Sequence, residues 1–172
     1  YFMIGRYGTG QRAYAAVKFL IYSLAGGLVM LAALAGLWAV SSSAGGPTFD
    51  VRVLAELEIS ETAQAWMFLG FFIAFAIKAP LFPVHTWLPD AAGAARPTTS
   101  VLLIGVLDKI GTFGMLRLCL PLFPDAAQRF APVIIGLSVV SILYGALLAI
   151  GQTDMRRLFA YVSVSHFGFI TL

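Results

Sequence analysis

The chain has 172 residues, one domain's worth by length, of which 60% are hydrophobic and only 11% charged. A soluble domain carries about 25% charged residues, so a secreted domain, a disordered chain and an ordinary cytosolic enzyme are excluded, and lipid is the solvent this sequence fits. The net charge of +3 does not mark a nucleic-acid module, because the cations stand singly or in pairs between apolar runs and form no basic stripe.

The chain opens without Met, has no charged segment leading into a short apolar core, and stops inside an apolar run. We expect no signal peptide and read residues 1–172 as a single membrane domain, an internal piece of a longer protein. Five spans are expected, at about 17–40, 65–88, 100–120, 130–152 and 158–172, against the roughly 20 apolar residues a bilayer core needs. The first contains Gly26-Gly27, which lets a neighbouring helix approach closely. A polar loop at 41–61 follows, with a short interfacial helix or turn at 49–57. The second span contains Lys78, Pro80, Pro83 and Pro89. Interior prolines remove amide donors and clash with the preceding turn, so this helix is expected to break. Freed backbone at membrane depth is tolerated only against protein or water, so the break should face a hydrated interior. The fold class is therefore an all-α polytopic transmembrane bundle with one discontinuous, proline-broken helix.

Cations near the span ends set orientation. Arg6, Arg12, Arg96, Arg156 and Arg157, with Lys18 at a span boundary, are expected on the cytoplasmic side. Arg52, Arg117 and Arg129 fall on the other.

Ionisable residues at membrane depth are costly and therefore candidate functional groups. Lys78 lies about 13 residues, or ~20 Å, into its span. A functional role competes there with snorkelling from a helix end. Lys109 sits nearer a span centre, where snorkelling is poor. Its neighbour Asp108 is either a counter-charge for it, a group facing water alone, or half of a structural ion pair. His166, with Ser163 and Ser165 nearby, suits a proton relay or an interhelical hydrogen bond equally. His85 lies near an expected interface, where a polar anchor is the simpler reading. The lone cysteine, Cys119, has no partner for a disulfide, and nothing has metal-ligand spacing. No phosphate loop or nucleophile–base pair is present, so no cofactor or metal site is expected in this chain.

Three runs carry a resemblance. They are Lys78-Ala79-Pro80-Leu81-Phe82-Pro83-Val84-His85-Thr86-Trp87-Leu88-Pro89-Asp90, then Arg96-Pro97-Thr98-Thr99-Ser100 with Gly105 to Gly114, and Gln152-Thr153-Asp154-Met155-Arg156-Arg157 with Ser163 to Gly168. Together they resemble the antiporter-like membrane subunits of respiratory complex I over nearly the whole chain. The resemblance implies two inverted repeats in a longer chain, with this piece spanning the end of the first and the start of the second. It implies a proton path through Lys78, Lys109 and His166, with Asp108 and His85 as secondary candidates. A glutamate paired with Lys78 is expected on a preceding helix, outside this sequence. Asp108, Ala92 and Ala95 depart from the family pattern, and Asp108 bears on the charge of Lys109.

The resemblance further implies a translocase subunit without its own redox centre, in a bacterial inner membrane. NADH, FMN, iron–sulfur clusters and quinone would be handled elsewhere in the parent complex. Its partners would be other membrane-arm subunits, including the L and N paralogues, and the lipid bilayer, with no nucleic acid. The alternative is a subunit of a multisubunit sodium/proton antiporter of the same superfamily. A structural scaffold is a third reading, which retention of both lysines opposes.

Overall fold

The computed structural model describes residues 1–43 and 46–172, and among these every regular element is helical. Ala44 and Gly45 of the expected polar loop lie outside the described residues. The order is α1 (Phe2–Tyr7), α2 (Arg12–Ser43), α3 (Val51–Ala55), α4 (Glu61–Lys78) and α5 (Trp87–Ala94). After Pro97 the chain stays helical but alternates in type: α6 (Pro97–Leu102), π1 (Leu103–Leu107), α7 (Asp108–Gly114), π2 (Met115–Cys119) and α8 (Leu120–Leu122). Two long helices close the chain, α9 (Pro124–Ile150) and α10 (Met155–Thr171). The fold is a helical membrane bundle. By length and composition, α2 and α9 are each sufficient to cross a bilayer. At 1.5 Å per residue α2 is ~48 Å long, more than the ~30 Å hydrocarbon core. Elsewhere comparable length is built from stacked shorter pieces.

The second long segment breaks where its prolines stand. A residue before proline avoids the α region, and Ala79, before Pro80, is extended at φ −86° and ψ 96°. Helix resumes at Trp87 and continues in the same direction. Its contacts with α2 fall in strict antiparallel order: Met67 near Gly36, Ile77 near Gly26, Lys78 at Ser23, Thr86 at Tyr22 and Asp90 at Lys18. Pro89 sits in the first turn of α5, where its missing amide costs little. Of the expected glycine pair only Gly26 is used for close packing; Gly27 has open space around its Cα.

Freed backbone groups in the break are met by protein. The Trp87 indole Nε1 donates to the Ile77 carbonyl at 2.8 Å, and the Phe82 amide donates to Ser141 Oγ at 3.4 Å. Ala79, Leu81 and His85 are buried. Protein side chains therefore pack around these residues of the break, while Pro83 is exposed.

The segment from 97 to 122 departs from the plain span expected at 100–120. Two π turns flank Asp108–Gly114, a geometry that marks functional sites more often than ordinary helix does. It also packs very tightly. A Cβ on Gly111 would stand 2.4 Å from the Ala79 amide nitrogen and 2.8 Å from the Phe75 carbonyl oxygen.

Helices α9 and α10 form an antiparallel hairpin held by small residues and hydroxyls. Ser141 Oγ donates to the Val164 carbonyl at 3.1 Å, Ser165 Oγ to that of Ile142 at 3.0 Å, and Ser138 and Thr171 share a 2.8 Å bond. Such bonds average about 0.6 kcal/mol in a membrane bundle, where burial alone gives little driving force between helices. An aromatic cluster of Phe68, Phe71, Phe75 and Phe123 joins α4 to the turn before α9.

The cations sort by end. Arg12 donates to the Arg6 carbonyl, Arg96 to that of Tyr7, Arg156 to that of Ala95, and Arg157 pairs with Asp90. All five expected cytoplasmic arginines thus gather at one end of the bundle. Arg52 belongs to α3, which packs near α8 at the opposite end.

Candidate functional site

Lys78 is the last residue of α4, at the lip of the break. Its side chain is partly buried and turns toward α2. Nζ donates to Ser23 Oγ at 3.2 Å and lies 6.0 Å from the centre of the Phe19 ring. Among the described residues no carboxylate lies within 4 Å of it. An ammonium supported by one hydroxyl and one ring face has a weak counterpart for a charge at this depth.

Lys109 stands at nearly the same level, because Gly111 of its helix packs on the backbone of Ala79. Its side chain leaves on the other side. Nζ donates to the Ile104 carbonyl in π1 at 3.1 Å and lies 5.2 Å from the centre of the Phe167 ring on α10. The residue is exposed on the outside of this piece of chain. Its central sequence position suggested a deeply enclosed side chain, and the outward direction of its helix face is what differs.

Asp108 has no exposed surface, and neither of its carboxyl oxygens has a hydrogen-bond partner. It shares a buried stripe with Leu103, Gly111, Thr112 and Met115, the face that packs toward the break. The structural ion pair with Lys109 is not formed. Adjacent residues on a helix point about 100° apart, which sends the carboxyl inward and the ammonium outward. A buried carboxyl with both oxygens unmet needs either a proton or a partner.

His166 is also exposed, next to the buried Phe167 over which Lys109 lies. Ser163 and Ser165 do not serve it. They are buried, and their hydroxyls are committed to the carbonyls of Phe159 and Ile142. His85 is not an interfacial anchor. It is only 2% exposed, stacked on Phe82 and edge-on to Tyr144, and its Nδ1 has no partner.

The structure therefore sets the helix carrying Asp108 and Lys109 against the break that follows Lys78, and brings Lys109 over Phe167, next to His166. It adds residues that single-residue reasoning passed over. Asp90 receives Lys18 at 2.7 Å on one oxygen and Arg157 at 3.2 Å on the other. Tyr22 and Thr86 join their hydroxyls at 2.8 Å. The four-residue spacing of Tyr14, Lys18 and Tyr22 in an otherwise apolar helix was the available signal. Among the described residues no group of His, Cys, Asp and Glu is placed to hold a metal ion.

The sequence profile described as NADH:quinone oxidoreductase/Mrp antiporter, TM, matches residues 1–172. The chain is 53% identical to NADH-quinone oxidoreductase subunit M of Mycobacterium tuberculosis, an alignment covering 99% of this chain and 32% of that protein. It therefore spans about a third of the length of the curated relatives it matches. Its fold superposes on a chain of respiratory complex I from Thermus thermophilus with bound NADH. The TM-score is 0.87 at 39% identity, over 97% of this chain and 35% of that one. A chain of the Mrp complex from a Dietzia species matches at TM-score 0.78 and 26% identity, over 99% of this chain and 18% of the other.

Proposed function

The chain belongs to the NADH:quinone oxidoreductase/Mrp antiporter transmembrane family, and from that premise we propose that it is the central part of a proton-translocating subunit of NADH:quinone oxidoreductase. The observation that carries this reading is Lys78: an ammonium at the lip of a helix break, held by the Ser23 hydroxyl and the Phe19 ring face, with the helix of Asp108 and Lys109 packed on the break. The 53% identity to a subunit M over nearly the whole chain favours this reading over a sodium/proton antiporter subunit.

In the proposed mechanism this chain carries protons and not electrons. NADH, FMN, iron–sulfur clusters and quinone belong to other subunits of the complex. A carboxylate from outside this sequence sits near Lys78 and stabilises its ammonium. When quinone chemistry shifts charge along the membrane arm and that carboxylate withdraws, the ammonium loses its counter-charge. The proton then moves across the break toward Lys109, with the buried carboxyl of Asp108 between them, and on toward His166. The exposed face bearing Lys109 and His166 is covered by the rest of the parent chain or by the neighbouring L and N paralogues. Residues 1–172 act as one membrane domain with spans near the five expected, in a bacterial inner membrane.

The test is NADH-driven acidification of inverted vesicles containing the full-length parent chain, wild type against Lys78→Ala. A sharp fall in quinone-linked pumping with the complex still assembled is expected. Proton movement that follows a sodium gradient and ignores NADH would assign the chain to the antiporter branch instead.

A further inference from the structure

The prolines at 80 and 83 leave the break short of ordinary helix bonds. The Ala79 amide still reaches back to the Phe75 carbonyl at 2.7 Å, and the Leu81 amide to that of Ala76 at 3.1 Å. The next amide, that of Phe82, is met from another helix: it donates to Ser141 Oγ of α9 at 3.4 Å. Ser141 has no exposed surface. Its hydroxyl has one proton to give, and it donates to the Val164 carbonyl of α10 at 3.1 Å. One oxygen therefore accepts from the break and donates to α10, joining three segments.

This oxygen lies among groups that border both lysine sites. One turn along α9 from Ser141, Tyr144 stands edge-on to His85 and Phe82, with ring centres 5.2 and 5.4 Å away. One turn along α10 from Val164 is Phe167, whose ring centre is 5.2 Å from Lys109 Nζ. Residues three apart on a helix are neighbours on its surface, so the hydroxyl tie and the ring contacts run side by side on each helix. The hairpin itself does not depend on Ser141. Ser165 Oγ donates to the Ile142 carbonyl at 3.0 Å, Ser138 and Thr171 share a bond at 2.8 Å, and a Cβ on Gly145 would stand 2.7 Å from the Ser165 amide nitrogen. What Ser141 adds is the polar link to Phe82.

We propose that Ser141 is a positioning residue for proton transfer: its hydroxyl holds the His85 segment of the break in register with the α10 turn that carries Phe167, so that the surroundings of Lys78 and Lys109 move together. It rests on the reading of the two lysines as proton carriers. Ser141 passes no proton on; its hydrogen stays aimed at Val164 while its lone pair holds the Phe82 amide. Without the hydroxyl that amide has no acceptor, and the segment from Leu81 to His85 turns to find one. His85 then leaves its place against Tyr144, and the step between the lysines loses orientation.

The experiment uses the full-length parent chain in its complex, in inverted vesicles. NADH oxidation and acidification are measured together, and hydrogen exchange is followed at the Phe82 amide of the same complex. Ser141→Ala is expected to speed that exchange roughly two- to ten-fold, the factor for loss of one ordinary hydrogen bond. Protons pumped per NADH are expected to fall by roughly two- to ten-fold, within what a loosened remote positioning contact can cost. Ser165→Ala is the control: it removes a hydroxyl bond between the same two helices at the same level and leaves the break untouched, so both readouts should match wild type. Ser141→Cys keeps a weaker donor and acceptor and should fall between wild type and Ser141→Ala. A cysteine variant no better than alanine would overturn the role of the hydrogen bond. Faster exchange with wild-type pumping in Ser141→Ala would make the tie structural only, and unchanged exchange would mean that Phe82 does not depend on it; either result overturns the proposal. Equal losses in Ser141→Ala and Ser165→Ala would trace the effect to the hairpin at large and overturn it too. Lys78→Ala separates the two readings. If it abolishes pumping while Ser141→Ala pumps normally, only the role of Ser141 falls; if it pumps normally, both fall.

Discussion

Lys78 and Lys109 flank one helix break from opposite sides, and their surroundings differ in kind. Lys78 turns into the α2–α4–α5 group, where Ser23, Phe19 and the Tyr22–Thr86 pair are all supplied by this chain. Lys109 turns outward over Phe167, with only a π-turn carbonyl as acceptor. The first surroundings are complete within 172 residues apart from a counter-charge; the second are open. The break can serve both sides because Gly111 brings the second helix onto its backbone.

The largest expected effect breaks that shared contact. Gly111→Leu would drive a side chain into the Ala79 amide and the Phe75 carbonyl, backbone atoms that cannot turn aside. We expect no assembled complex containing the full-length chain, measured as subunit recovered in the solubilised complex. Gly105→Leu lies in the same segment with open space around its Cα and is expected to assemble. Equal recovery of the two variants would mean that the lysines do not depend on this contact for their common level.

A smaller effect tests the Lys78 side alone. Trp87→Phe keeps most of the ring volume but removes the indole donor to Ile77, leaving a buried carbonyl unmet beside Lys78. The cost is about 1–3 kcal/mol. It is read as a lowered temperature for loss of the subunit from the solubilised complex, together with weaker pumping. An unchanged transition would show that water replaces the indole, and that the break is wetter than its packing indicates.

Much of this comparison was legible in the sequence. Composition dictated lipid, and Pro80, Pro83 and Pro89 announced the break, because proline acts through local geometry that any fold must respect. Direction was not legible. Lys109 and Asp108 are neighbours in sequence, and only the packing of Gly111 decides which of them faces inward. The π turns have no strong sequence signal, since they arise from tertiary fit. A histidine after two prolines is expected at a boundary, whereas the break holds His85 in the interior, edge-on to Tyr144 of α9. The Asp90 group was missed because Lys18, Asp90 and Arg157 come from three distant segments, and each looks ordinary alone.

Asp108, buried with both carboxyl oxygens unmet, gives the next prediction. Removing a buried carboxyl that no group meets should cost little. Asp108→Leu is expected to leave the subunit as stable as wild type or about 1 kcal/mol more stable, since apolar replacement of an unsatisfied buried group relieves its desolvation. If Asp108 also lies between the lysines on the proton path, pumping falls in the same variant. A variant that is markedly less stable would reveal a partner for Asp108 in the parent chain.

The smallest effect lies at the head of α10, the helix that brings Phe167 beneath Lys109. Asp154 caps that helix, accepting the Arg156 amide at 2.9 Å. This backbone hydrogen bond, with some help from the Arg156 side chain and the charges of Arg156 and Arg157, holds its carboxyl below the usual carboxylate range. A carboxyl lowered in the folded state stabilises above its unfolded pKa and loses that contribution as pH falls through the folded value. The cap should therefore be intact at neutral pH and fail only in acid below the ordinary aspartate range. Asp154→Ala should cost about 0.5–1 kcal/mol at neutral pH and show no difference from wild type once the medium is acidic enough to protonate the cap. Faster amide exchange in the first turn of α10, with the α4–α5 break unchanged, is the expected signature. Loosening of both regions together would show that the Lys109 side is not mechanically separate from the Lys78 side.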